Sequence, residues 1–356
     1  MSDTRKPARR ILSAAELYER ALAVSDRGDA DEGERLTRLA LKTAQVPAML
    51  VTLGVLLEQQ GRFEEARGIF RAAVAAAPDE PRLNLPLALN LLRAGDYAEG
   101  FRLYEHREVK MTAAMSGRPQ LPYPEWTGGP VRSLLVLPEQ GLGDEMMFNR
   151  YIPRLTERGI AVTLLCRPQL AGLFAHLGVT VLPLGPSVDV PRCEAWTLAP
   201  SLPLRFGTLP GAVPDPVYLP GAAGGSGIGF VGAGSPINVK DETRSLPPEL
   251  DAEIRGWPGV VGLSREDLGG LDFEATRRLI EGLQLVITVD TAAAHLAGAM
   301  GKPCWVLLPF TPDWRWLERG PHSPWYPAAR LFRQPSRGDW ASVVAALKAA
   351  LAAEGV

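Results

Sequence analysis

The stretch Val131-Arg132-Ser133-Leu134-Leu135-Val136-Leu137-Pro138-Glu139-Gln140-Gly141-Leu142-Gly143-Asp144-Glu145-Met146-Met147 decides the fold. Its apolar run, 134–137, is short and lacks polar alternation, as expected of a strand buried on both faces of a parallel sheet. Gly141 and Gly143 then permit a tight turn and close backbone approach. Met146, Met147, Tyr151, Ile152 and Leu155 follow at helical spacing. Strand, glycine turn and helix form the unit that sets functional groups at the carboxyl edge of a parallel sheet. Asp144, at the start of that helix, reads either as a cap on free amides or as a carboxylate used in chemistry.

Downstream the alternation continues. A strand at Ala161–Cys166, a helix over 169–177 and a third strand over 179–184 complete a first half that closes near Tyr218. Five glycines between Gly221 and Gly229 precede the next strand, at Ile228–Val231, and so suit a hinge between lobes better than a phosphate loop. After that strand come Gly232-Ala233-Gly234-Ser235, then Asn238, Lys240, Asp241, Arg244 and Ser245. A glycine turn at a strand end followed by cations suits a diphosphate: amides approach closely, and Lys240 and Arg244 offset the charge. The run Leu285-Val286-Ile287-Thr288-Val289-Asp290-Thr291-Ala292-Ala293-Ala294-His295 is a buried strand ending in an acid, then a helix that begins with small residues. Its uncovered N-terminal amides and dipole make an anion site. Pro309 to Trp316 and Ser323 to Pro327 are aromatic and proline-rich; they read equally as a sugar or base platform and as a plug between lobes. A final helix from Trp340 is expected to pack back on the first lobe.

Upstream the chain repeats itself. Gly28, Gly61 and Gly95 stand 33 (28 to 61) and 34 (61 to 95) residues apart, each followed by an acid, a small residue and a bulky one at matching offsets. The middle unit, with Gly54, Ala66 and Phe70 set to let two helices meet, resembles the tetratricopeptide (TPR) consensus. Its neighbours match more loosely. Such stacked pairs either extend the fold behind them or hold a protein in their groove.

The string 138–155, PEQGLGDEMMFNRYIPRL, is similar to the opening strand, turn and helix of the ADP-heptose:lipopolysaccharide heptosyltransferases, glycosyltransferase family 9. A bacterial group in which TPR repeats precede such a module is a closer match still, over roughly Leu50 to Val343. The resemblance implies an α/β chain of GT-B type: TPR-like repeats over 1–112, a connector over 113–130, an acceptor-side Rossmann-like lobe over 131–220 and a donor-side lobe over 221–356. It makes Asp144 the general base, with Gly141, Gly143 and Glu145 in the acceptor-side turn. Gly234, Lys240, Arg244, Asp290, Thr291, Ala292 and His295 become donor ligands. Asp290, Thr291 and His295 match the family's donor motif; Ala292 stands where the family has glycine. The segment 264–270 is shorter than the family's, where a further helix would lie.

Composition narrows the function classes. With 356 residues, 46% of them hydrophobic, several cores are expected. A net charge of -2 gives no electrostatic reason for nucleic acid or an anionic membrane as partner. Cys166, Cys193 and Cys304 lie far apart, as free thiols in a reducing compartment do, and no window is apolar enough to span a bilayer. The basic start is read as neither leader nor anchor, so a cytoplasmic location is expected. Neither lobe contains an Asp-x-Asp triplet, so no metal is expected, and the nucleotide sugar enters as substrate with no further cofactor. The leading reading is inverting sugar transfer to a protein, or to an acceptor presented by one, on the repeats. A TPR adaptor with a silent transferase module is the second reading, and a nucleotide-sugar epimerase the third.

Overall fold

A computed structural model describes residues 12–112, 115–222, 224–234, 241–270 and 272–355. The chain divides into two compact units, one ending at Leu91 and one beginning at Leu92.

The first unit contains α1 (Ala14–Ser25), α2 (Ala30–Leu41), α3 (Pro47–Gln59), α4 (Phe63–Ala76) and most of α5 (Asn84–Ala94). Ser13 starts α1 with a capping box: its hydroxyl accepts the Glu16 N–H at 3.2 Å, and the Glu16 carboxylate accepts the Ser13 N–H at 2.9 Å. The sequence period has one backbone cause. Gly28, Gly61 and Gly95 each follow the first helix of a pair at φ of 88°, 76° and 87°, where any other residue is strained. A Cβ at Gly54 would lie 2.3 Å from the Phe70 ring, so glycine lets α3 approach α4 and Phe70 fills the groove, as expected. Leu17, Ala21, Leu36, Ala40 and Met49 form the core of the first pair. Glu34 ties the pairs laterally, accepting from Arg38 at 2.7 Å, Gln60 at 2.9 Å and Arg62 at 2.6 Å.

The second unit starts with the end of α5 and takes in α6 (Tyr97–Tyr104), which the sequence assigned to the repeat array ending at 112. The reason is apolar area. Tyr97 lies 5.8 Å from Trp325 between ring centroids, Phe101 5.8 Å from Trp314 and Tyr104 6.2 Å from Trp314, all fully buried. Nor is 113–130 a free connector. Strands β1 (Lys110–Thr112) and β2 (Met115–Ser116) pair as a hairpin, and Trp126 is buried, its N–H donating to the Trp196 carbonyl at 2.6 Å.

The first lobe follows as β3 (Ser133–Leu137), α7 (Leu142–Phe148), α8 (Ile152–Glu157), β4 (Ala161–Cys166), α9 (Pro168–Phe174), β5 (Thr180–Pro183), β6 (Ala195–Leu198) and α10 (Leu202–Arg205). Its strands form a parallel sheet in the order β5-β4-β3-β6. β6 is a strand that the sequence does not announce: unlike β7, of the same length, it has no flanking glycine turn. The single helix expected after the glycine turn is broken into α7 and α8 by a 3-10 turn at Asn149–Tyr151. Pro153, in the first turn of α8, has no N–H to continue the ladder.

The second lobe runs β7 (Ile228–Val231), α11 (Asp241–Arg244), α12 (Pro248–Arg255), β8 (Val260–Gly262), α13 (Phe273–Glu281), β9 (Leu285–Val289), α14 (Ala292–Ala299), β10 (Cys304–Leu308), β11 (Ala329–Arg333) and α15 (Trp340–Glu354). Its sheet is parallel in the order β11-β10-β9-β7-β8. Two α/β lobes behind helical pairs agree with the fold class expected.

Two expectations need correction. The final helix packs on its own lobe: Trp340, Val343, Val344 and Leu347 join Phe230, Ile287, Trp305 and Leu307 in one core, because the apolar face of α15 matches the second sheet. Four of the five glycines of 221–229, all but Gly224, are packing positions and not the hinge expected. A Cβ at Gly221 would meet the Met300 carbonyl at 2.4 Å, and one at Gly225 the Gly282 carbonyl at 2.5 Å. The Lys302 ammonium reinforces this corner, donating to the carbonyls of Gly224, Glu281 and Leu283 at 2.7, 2.7 and 2.8 Å. All three cysteines are free and buried. Among the described residues no helix is long and apolar enough to cross a membrane.

Candidate functional site

Parallel strands release their loops at one edge, and the two lobes face each other across those edges. The lobes touch where α7 packs on α14, and again where His176, after α9, lies 3.1 Å from Glu274 on α13. At the first contact glycine is obligatory: a Cβ on Gly143 would stand 2.5 Å from the His295 ring and 3.5 Å from the Ala292 Cα. The glycine turn of the first lobe and the small-residue helix start of the second thus meet directly.

On the first lobe, Asp144 does two things. Its Oδ2 accepts the Gly141 N–H at 2.8 Å, closing the start of α7, and its Oδ1 is ion-paired with Arg315 of the second lobe. Arg315 was not singled out in the sequence. It also pairs with Asp313 at 2.6 Å, lies 4.6 Å over the Trp314 ring, and is buried. A cation inside a run of tryptophans was the available signal, since a buried guanidinium requires carboxylate partners. Glu145 faces elsewhere. It is fully buried, pushed up to about 7 by burial against the opposing charge of Arg167, whose backbone N–H it accepts at 3.2 Å. Behind the turn, Glu139 is buried against Arg107 at 2.6 Å.

On the second lobe, Gly234, Arg244 and Asp290 are brought together. The Gly234 N–H donates to Ser245 at 3.0 Å, and a Cβ there would lie 2.4 Å from the Arg244 guanidinium. Arg244 pairs with Asp241 at 3.1 Å and donates to the Asp290 carbonyl at 3.0 Å. Thr291 caps α14: its hydroxyl accepts the Ala293 N–H at 3.3 Å and meets the Thr288 hydroxyl at 2.8 Å. Ala292 is the first residue of that helix. Lys240 lies outside the described residues.

Burial pushes the Asp290 carboxyl up to about 6, the nearby Asp313 carboxylate adding to it and the Trp316 indole, Arg315 and Arg244 opposing it. His295 is pushed the other way, down to about 3, by burial and by the charges of Arg315 and Arg150. Its imidazole is therefore neutral, with Nδ1 2.8 Å from the Tyr326 hydroxyl and the ring stacked 5.8 Å from Trp316. A neutral ring lends a diphosphate no charge.

The aromatic loop is a plug. Trp314, Trp316, Trp325 and Tyr326 are all fully buried between α6, α7 and α14, so they offer no open face to a sugar. Gln140 at φ 67° and Leu317 at φ 60° are the non-glycine residues with left-handed backbone among those described. They sit four residues before Asp144 and two after Arg315, so strain is concentrated where the lobes meet.

Residues 47–89 match the tetratricopeptide repeat family, and residues 260–329 match glycosyltransferase family 9 (heptosyltransferase). The chain is similar to Protein FlbA of Caulobacter vibrioides, 27% identical over 360 residues, covering 82% of this chain and 59% of that protein. The chain thus spans little more than half the length of that relative. Among solved structures it is similar to the iron-containing dodecameric glycosyltransferase TibC from enterotoxigenic E. coli, at TM-score 0.41 and 15% identity, covering 65% of this chain and 69% of that one. It is also similar to E. coli heptosyltransferase WaaC with ADP, at TM-score 0.40 and 13% identity, covering 61% of this chain and 99% of that one. By sequence, then, a stretch similar to the tetratricopeptide repeat precedes one similar to glycosyltransferase family 9.

Proposed function

We propose that the chain is a glycosyltransferase that moves a sugar from a nucleotide-diphosphate sugar to an acceptor hydroxyl, with inversion and without a metal. The observation that carries this reading is the meeting of Gly143 and Asp144 on α7 with Ala292 and His295 on α14. One lobe brings a carboxylate to that junction; the other brings a helix start of small residues with Arg244 beside it. The family 9 match over 260–329 supports the donor side.

In this reading the diphosphate lies along Gly234, Arg244, Asp290, Thr291 and Ala292, where amides and a guanidinium take up leaving-group charge. Lys240 adds a second cation. The acceptor oxygen forms its bond to the anomeric carbon as the bond to the diphosphate breaks, and Asp144 takes the hydroxyl proton. Gly141 and Gly143 keep the backbone close to the acceptor. His295 positions the α7–α14 contact and contributes no charge. The repeats, matched over 47–89, recruit a protein acceptor or a protein that presents one. The reaction belongs in the cytoplasm, where nucleotide sugars are made.

A second reading is favoured by one observation. Asp144 is tied to Arg315 beside an aromatic plug, an arrangement that also suits a silent binding platform. Native mass spectrometry of the full chain against ADP-, UDP-, GDP- and dTDP-activated sugars separates the two. A donor adduct with release of the nucleoside diphosphate supports the transferase, and no adduct with any of the four supports the platform.

A further inference from the structure

Arg315 is more heavily committed than its position requires. It pairs with Asp144 across the lobe junction and with Asp313 on its own loop, and its Nε is buried without a hydrogen-bond partner. The surroundings are rich in negative charge. The carboxylates of Asp144, Asp313, Asp290 and Asp241 gather about the guanidiniums of Arg315 and Arg244. A diphosphate arriving beside Asp290 brings further negative charge, which draws on the guanidiniums of Arg315 and Arg244. Arg244 is held by Asp241 and by the Asp290 carbonyl. Arg315 is the one with an expendable partner, because Asp144 has a second anchor in the Gly141 N–H at 2.8 Å and keeps its place without the ion pair. The Trp314 ring, 4.6 Å beneath the guanidinium, is a flat surface over which the planar group turns without losing its support.

Resting on the transferase reading above, we propose that Arg315 is a shared ligand: it exchanges the Asp144 carboxylate for a phosphate oxygen of the donor. Occupation of the donor side then frees the base on the acceptor side. The coupling makes an odd demand, that the base opposes donor binding. Removing the Asp144 charge should strengthen binding of a nucleoside diphosphate, and should do so through Arg315.

The test is a double-mutant cycle on the full chain, with ADP and UDP as probes and isothermal titration calorimetry as readout. Asp144→Asn keeps an oxygen for the Gly141 N–H, so the helix cap survives. It is expected to tighten binding of the preferred nucleotide by about three- to tenfold, the scale of one ordinary net hydrogen bond, because the gain is the difference between two charged partners of one guanidinium. Arg315→Met is expected to weaken binding by a similar factor and to abolish the gain from Asp144→Asn. If Arg315→Met does not fold, Arg315→Lys serves in the cycle; its single ammonium lacks the fork and should reduce the gain without removing it. Unchanged or weaker binding by Asp144→Asn overturns the exchange and leaves the donor site standing. A gain that persists in the Arg315→Met background is general charge relief and also overturns it. If the wild type binds neither nucleotide, the donor site itself fails and takes this inference with it.

Discussion

The two lobes present the same local pattern with opposite electrostatics. In each, a buried parallel strand ends near an acid and a short helix of small or apolar residues follows. In the first lobe the acid, Asp144, lies inside the helix start, caps it and is paired with a guanidinium. In the second the acid, Asp290, precedes the helix; Thr291 does the capping, and Asp290 is left with a carboxylate neighbour and a raised pKa. Asp144 stands two residues after the first residue of α7 and Asp290 two before the first residue of α14, and that shift of four positions separates a carboxylate held by donors from one that burial works against. The difference suits a base on one side and an anion site of small residues on the other.

The largest expected effect tests where the second unit begins. A chain lacking 1–110 loses Tyr97, Phe101, Tyr104 and Arg107, whereas one lacking 1–79 keeps them. Truncating one buried aromatic costs about 3–5 kcal/mol, so losing three is comparable to the whole usual stability of a domain. The longer deletion should therefore abolish cooperative unfolding by circular dichroism. The shorter one should keep it, with donor binding intact and transfer to a macromolecular acceptor lost.

Next in size is the role of the first acid. Asp144→Asn should lower turnover by roughly a hundredfold or more, the scale of a positioned general base. Steady-state release of nucleoside diphosphate measures it, and equal activity would reduce Asp144 to a cap.

Gly143→Ala probes the contact between the two helix starts. Its Cβ would lie 2.5 Å from the His295 ring, so α7 or α14 must shift, at a cost of about 1–3 kcal/mol by urea unfolding. A variant as stable as the parent would mean that the lobes do not meet there in solution.

Ala292→Glu sharpens the contrast from the other side. A carboxylate in the first turn of α14 favours the helix dipole by about 0.3–1 kcal/mol while repelling a diphosphate. The thermal midpoint should hold or rise slightly as the nucleotide-sugar dissociation constant increases. Normal donor binding would remove the site.

The smallest effect is a pH dependence. The folded chain holds Asp290's proton to about pH 6, while the unfolded chain gives it up near pH 4. Stability from this group is complete below pH 4 and is lost as pH rises toward 6. Asp290→Asn should therefore match the parent at pH 4 and exceed it by roughly 1–3 kcal/mol at pH 7. A constant difference across that range would refute the assignment.

What was legible in the sequence was whatever short-range rules impose. Gly28, Gly61 and Gly95 repeat because each turn needs a left-handed backbone, and the apolar runs at β3, β7, β9 and β10 could only be buried strands. The pairing of Gly54 with Phe70 was legible for the same reason, since both lie in one helical pair. β6 escaped because no glycine turn flanks it, as Gly227 and Gly232 flank the equally short β7, and α6 was misplaced because its repeat pattern says nothing about which tryptophans, more than two hundred residues on, will cover its rings.

The residues proposed for the site divide along the same line. Asp144, Asp290 and Thr291 could be picked out because a strand end and a helix start are local events. Arg315 could not, since its meaning depends on Asp144, 171 residues away in the chain. The neutrality of His295 likewise comes from burial among Trp316, Tyr326 and the Gly143 backbone and from the charges of Arg315 and Arg150, brought together by the β10–β11 connection and the first-lobe helices. Local backbone chemistry is written residue by residue, so the turns, most of the strands and the acids at their ends follow from the amino-acid order alone. Burial and charge pairing belong to the assembled chain, where distant segments meet and fix which acid is ion-paired, which one burial works against and which cation pairs across the lobes.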